Sequence, residues 1–148
     1  MAETPNTPSA RRPWHLWVIG IVALLWNGMG AVDYLMTETQ NDAYMSRFTP
    51  EQLDFFYGFP AWVVAFWALA VWGGLLGAIF LLLRKRFAVQ TFLVSFVAMV
   101  ITAIRNYVFA DGLAVTGGFG LVFSLIIFVF ALLLYLYARA MRQRGVLV

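Results

Sequence analysis

The residues of this chain that could do chemistry are few, and they stand in apolar company. The stretch Trp26-Asn27-Gly28-Met29-Gly30-Ala31-Val32-Asp33-Tyr34 lies in the second half of a long apolar run. There an amide, two glycines and a carboxylate occupy places that lipid would fill with Leu and Val. Arg105-Asn106 stand in another apolar run far along the chain, preceded at helical spacing by Ser95 and Thr102. A carboxylate and a guanidinium at membrane depth could hold an ion or a polar solute. They could equally form a structural pair or snorkel separately to water, and the bland reading is preferred because charges near an interface reach water unaided. Asp33 and Arg105 lie at similar depth on parallel segments and are expected to approach each other near the outer surface. Asn27 is deeper. Its amide has two donors and an acceptor that hydrocarbon cannot satisfy. Ser95 or Thr102 could serve it as a helix-to-helix clamp, a kind of contact worth about 0.6 kcal/mol, and this is favoured over a ligand contact.

Other chemistry finds no residues to run on. The sequence contains no phosphate-binding loop, no Gly-x-Ser-x-Gly nucleophile turn and no His-Glu-x-x-His pair. There is no Cys, so thiol catalysis, disulfides and Cys-ligated metals are excluded. His15 is the single histidine, without a neighbouring carboxylate, and reads as an exposed interfacial residue rather than a haem or metal ligand. Asp33 is alone among carboxylates in an apolar run, so a paired-acid mechanism is not available within the spans. No catalytic, cofactor-binding or metal-ligating residue is assigned, and an enzyme is not expected.

These few polar residues must be positioned by membrane helices. The chain has 148 residues, 63% of them hydrophobic and 11% charged, with a mean hydropathy of +0.83. A soluble domain carries about 25% charged residues. The net charge of +3 does not point to nucleic acid, because the basic residues flank apolar runs. The expected organisation is a polar tail over 1–13, a single transmembrane domain over 14–140 and a second tail over 141–148. The Arg11-Arg12 pair mimics a signal peptide, but the apolar run after it is too long and lacks a cleavage site. Spans are predicted at about 14–36, 60–83, 87–109 and 117–138, each meeting the requirement of roughly 20 apolar residues.

Small residues mark the faces on which these helices pack. Gly20, Gly30, Gly73, Gly77 and Gly117 fall on seams at spacings of three, four or seven, and such seams let helices approach closely. Gly73 and Gly77 form a G-x-x-x-G pair that could pack the bundle or join two copies. In the long loop 37–59, Thr49-Pro50-Glu51-Gln52 is a capping-box signature, and a short interfacial helix is predicted over 50–57 with Leu53 and Phe56 on its apolar face. Eight of the ten basic residues flank the ends of the chain and the turn at 84–86. The positive-inside rule then puts both termini in the cytoplasm. The fold expected is all-α: an up-down-up-down four-helix transmembrane bundle with a short outer interfacial helix.

Trp26-Asn27-Gly28 with Asp33-Tyr34, Pro50-Glu51-Gln52-Leu53 with Phe56-Tyr57, Pro60-Ala61-Trp62 and Trp72-Gly73-Gly74-Leu75-Leu76-Gly77 resemble an uncharacterised family of small bacterial four-span membrane proteins. Some members carry a loose sugar-transporter label. The resemblance covers most of the chain after the first tail and implies a bacterial cytoplasmic membrane. Arg105 stands where the family pattern calls for a different polar residue. The expected function is that of a non-enzymatic accessory or structural membrane protein without cofactor. The alternative is a small-solute transporter, of sugars if the label carried by some of those members applies, acting as an oligomer. Its partners would be the bilayer and either a second copy or another membrane protein. Asn27, Asp33, Ser95, Thr102, Arg105 and Asn106 are the candidate polar site.

Overall fold

The computed structural model describes residues 11–148. Most of the polar tail expected over 1–13 lies outside the described residues. Six α-helices follow in order: α1 (Trp14–Glu38), α2 (Asp42–Met45), α3 (Pro50–Tyr57), α4 (Ala61–Leu82), α5 (Phe87–Ile104) and α6 (Gly112–Gln143). A π-helical turn, Arg105–Phe109, continues α5. Among the described residues α1, α4, α5 with its π turn and α6 are long and apolar enough to cross a membrane. They run alternately up and down, and the chain is an all-helical four-helix bundle. The end carrying α2 and α3 is called the loop end below, and the opposite one the basic end.

Neighbours in the chain are neighbours in space: α1 packs on α4, α4 on α5, and α5 on α6. The ring is closed by side chains, with Trp26 of α1 stacked on Phe130 of α6 at 4.8 Å between centroids. The most extensive contact is between α4 and α5, and missing side chains permit it. A Cβ added to Gly73 would stand 3.2 Å from Ser95 Cβ, and one added to Gly77 would stand 2.7 Å from the Phe92 ring. The G-x-x-x-G pair is thus used within the bundle. Gly20 accommodates Leu82, whose Cδ2 would be 2.4 Å from an added Cβ, and Gly30 faces Val71. The apolar core fills the basic half, where Leu16, Leu81, Phe92, Leu134 and Met141 are buried together.

The helix over 50–57 forms as its sequence dictates. Thr49 accepts from the Gln52 N–H at 3.2 Å, Gln52 Oε1 accepts from the Thr49 N–H at 3.1 Å, and Pro50 fills the first helical position. Leu53 and Phe56 are half-buried.

Elsewhere the structure departs from expectation. The fourth span begins at Gly112 and is broken at Gly117, whose backbone has φ 69° and ψ −172°. An added Cβ at Gly117 would meet nothing within 4 Å. This glycine supplies a left-handed backbone, not a packing face. The segment 141–148 is no free tail. Helix α6 runs on to Gln143, and Gly145, at φ 71°, reverses the chain. The Gly145 N–H donates to Arg142 O and the Val146 N–H to Met141 O, which completes a Schellman cap. Val146 and Leu147 then bury against the core. The Val148 N–H donates to Arg84 O at 2.8 Å and the Arg86 N–H to Val148 O at 3.0 Å. These bonds clasp the α4–α5 turn, in which Arg84 adopts φ 57°. A non-glycine residue there costs roughly 1–2 kcal/mol. The physical reason for the clasp is that two apolar side chains gain more by covering the core than by standing in water.

Candidate functional site

The candidate polar residues divide between mid-bundle and the loop end. At mid-bundle, Asn27 of α1 and Ser95 of α5 converge on Gly74 of α4. A Cβ at Gly74 would fall 2.1 Å from Asn27 Oδ1 and 3.3 Å from Ser95 Oγ. The expected Asn27–Ser95 or Asn27–Thr102 bond does not form. The Asn27 amide Nδ2 donates to Ala23 O of its own helix at 2.8 Å. Ser95 Oγ donates across the interface to Ala70 O at 2.5 Å, and Thr102 Oγ1 donates to Ala98 O at 2.9 Å. Each donor finds a carbonyl one turn back or on the facing helix, which is the cheapest way to satisfy it in hydrocarbon. No buried side-chain N or O atom lacks a partner among the described residues.

At the loop end no direct ion pair joins Asp33 and Arg105 among the described residues, and each has other partners. Asp33 Oδ1 accepts from the Tyr44 hydroxyl at 2.5 Å. Tyr44 belongs to α2, a one-turn helix started by Asn41, whose side chain accepts from the Tyr44 N–H at 3.0 Å. Arg47 lies over the Tyr44 ring at 3.9 Å and donates from Nε to Tyr44 O at 3.1 Å. Asn41-Asp42 is a legible helix-start signal. What it could not reveal is that the short helix folds Tyr44 back onto α1.

Burial pushes the Tyr44 hydroxyl up to about 12. The hydrogen bond and negative charge of Asp33 act in the same direction, and Arg47 opposes them. Tyr44 is therefore a phenol, a donor and not a base, at any physiological pH.

Arg105 has different company. It lies on the π turn, where the wider helix changes the rotation of every side chain after Ile104. Its guanidinium stands over Phe59 at 5.3 Å and Phe55 at 6.0 Å, and Nη1 donates to Asn106 Oδ1 at 3.3 Å. The π turn is held in place on both sides. The Tyr107 hydroxyl contacts Ser124 Oγ at 2.7 Å and donates to Gly120 O at 3.2 Å. Gly112 packs so closely that an added Cβ would lie 2.4 Å from Asn106 O.

From Phe59, beside Arg105, a chain of rings leads into the bundle. Phe59 meets Trp67 edge-on at 6.1 Å, and Trp67 meets Tyr34 at 4.9 Å. Tyr34 meets Trp72 at 6.4 Å. The loop end is thus an aromatic lid with a carboxylate–phenol pair on one flank and an arginine on the other. Such a surface can stack on a flat or apolar ligand face and exchange hydrogen bonds with hydroxyls. His15, expected to be exposed, is half-buried at the basic end, with Nδ1 2.6 Å from the Tyr137 hydroxyl of α6. Matched against family models, curated proteins and solved structures, the chain finds no counterpart. Its four apolar helices identify it as a multi-pass integral membrane protein.

Proposed function

We propose that this chain is a non-enzymatic accessory or structural protein of the bacterial cytoplasmic membrane. Both termini lie in the cytoplasm and the loop end faces out. The observation that carries the reading is how the mid-bundle polar groups are used. Asn27, Ser95 and Thr102 each spend their donor on a helix carbonyl, and Asn27 and Ser95 close on Gly74. Only the Ser95 bond joins two helices, while Asn27 and Thr102 turn back onto their own; groups engaged in this way line no route for a solute. The orientation rests on eight of ten basic residues gathering at one end. The resemblance to small bacterial four-span proteins supports the same membrane.

The second reading, a small-solute transporter working as an oligomer, is favoured by the loop-end lid. Trp67, Tyr34 and Phe59 form an aromatic cluster, and Asp33 and Arg105 bring polar groups to the same end, the residue types a sugar-sized solute would need. A pathway in so small a bundle would have to run between copies.

Single-cysteine variants separate the two readings, since the chain has no native Cys. Asn27→Cys, Ser95→Cys and Thr102→Cys are treated with a membrane-impermeant thiol reagent in intact cells and in inverted vesicles. The accessory reading expects all three to stay unlabelled from both sides while Asp54→Cys is labelled. Labelling of all three would overturn it in favour of a water-filled route.

A further inference from the structure

At the basic end, the first turns of α5 and the last turns of α6 leave a cleft of about 420 Å³ between them. On the α6 side it is lined by Tyr135, Arg139 and Arg142, which share one helix face at spacings of four and three. On the α5 side it is lined by Val89, Gln90 and Leu93. Neither arginine side chain has a hydrogen-bond or ion-pair partner among the described residues. The described acidic side chains, Asp33, Glu38, Asp42, Glu51, Asp54 and Asp111, all belong to the loop end. The cleft therefore carries two positive charges with no side-chain counter-ion among the described residues, beside two amphipathic donors.

Its chemistry also changes with depth. The apolar run of α6 reaches Ala138, so Arg139 and Arg142 sit where hydrocarbon gives way to headgroups. Leu93 lies three residues deeper than Gln90, about 4.5 Å along α5, and provides an aliphatic wall below the charges, while Val89 sits at the mouth. Charge at the mouth and aliphatic surface below fit a molecule with an anionic phosphodiester and an acyl chain. A free phosphate would use the first and leave the second idle.

We propose that this cleft is a binding site for the headgroup of an anionic phospholipid. The Arg139 and Arg142 guanidiniums hold the phosphodiester, Gln90 and the Tyr135 hydroxyl supply further hydrogen bonds, and an acyl chain passes Val89 at the mouth and runs along Leu93. Arginine forks match phosphate oxygens bidentately. Basic clefts between spans at a membrane surface are suited to such headgroups.

The test is titration of phosphatidylglycerol into the delipidated full-length protein in neutral detergent, with bound lipid counted by native mass spectrometry. The wild type should retain phosphatidylglycerol in preference to phosphatidylcholine, and inorganic phosphate should not displace it. Each basic group near an anionic lipid contributes about fivefold in affinity, so the double variant Arg139→Gln/Arg142→Gln should bind about 30-fold more weakly. Both arginines are exposed, so the variant keeps its core, which far-ultraviolet circular dichroism verifies. Arg11→Gln/Arg12→Gln, which removes the same charge at the same end outside the cleft, should bind as the wild type does. Equal weakening in the two double variants would overturn the proposal in favour of diffuse surface charge. Full displacement by inorganic phosphate would overturn it in favour of a free-anion site, and equal retention of phosphatidylcholine would overturn it outright.

Discussion

Substituting Gly74 by Ala puts the packing of the bundle to a quantitative test. The added Cβ would lie 2.1 Å from Asn27 Oδ1 and 3.0 Å from Asn27 Cγ, far inside van der Waals contact. The Asn27 amide would have to turn away, giving up its bond to Ala23 O. Overpacking of this kind costs about 1–3 kcal/mol. Against it stands the gain of Ala over Gly in a helix, about 1 kcal/mol. Gly74→Ala should therefore be neutral to destabilising by about 2 kcal/mol in the wild-type background. Asn27→Ala removes the obstruction. Ser95 Oγ, at 3.3 Å, need yield only slightly, so in that background Gly74→Ala should stabilise. The signature is the coupling between the two substitutions, expected at about 1–3 kcal/mol. It is read from equilibrium unfolding in mixed micelles, followed by the fluorescence of the six tryptophans. Gly28→Ala, where an added Cβ meets nothing within 4 Å, is the control and should stabilise or leave stability unchanged in either background. An effect of Gly74→Ala that is the same in both backgrounds to within about 0.5 kcal/mol would refute the convergence of Asn27 and Ser95 on this glycine.

Three further outcomes are expected. Asp33→Ala and Arg105→Ala should be additive in the same unfolding assay to within about 0.5 kcal/mol, because each charge has its own partners, whereas Asp33→Ala and Tyr44→Phe should couple. Tyr44 in the folded protein keeps its proton up to about 12, while in the unfolded chain it loses it near 10.0. Its contribution to stability is thus complete below pH 10.0 and lost as pH rises through about 12. Tyr44→Phe should consequently show a shallower alkaline fall in stability than the wild type over that window, and parallel curves would count against the burial of the Tyr44 hydroxyl beside Asp33. Finally, in intact cells Asp54→Cys should react with an impermeant thiol reagent and Lys85→Cys only after permeabilisation; the reverse pattern would invert the topology.

The number of spans, their alternation and the capped helix α3 were legible in the chain because they depend on local quantities. Apolar run length is set against a bilayer of fixed thickness. A capping box is satisfied within four residues, Thr49 to Gln52. The small-residue seams were legible for the same reason: helical periodicity puts Gly73 and Gly77 on one face whatever they meet. Which residues meet was decided only by the tertiary structure. Each residue turns a helix by about 100°, so equal depth alone did not put Arg105 into an ion pair with Asp33. The π turn at Arg105–Phe109 altered that rotation further, and no residue pattern announced it. Tyr44 reached Asp33 because a one-turn helix folded back over α1, a contact between segments joined by a short loop of unreadable path. Gly117 looked like a packing residue and proved to be a backbone break, since its type suits both and only its φ of 69° distinguishes them. The last residues read as a tail because three apolar side chains after a run of arginines are too few to signal burial. Val146 and Leu147 become core only where the α4–α5 turn and the end of α6 stand close enough to leave a gap that they fill.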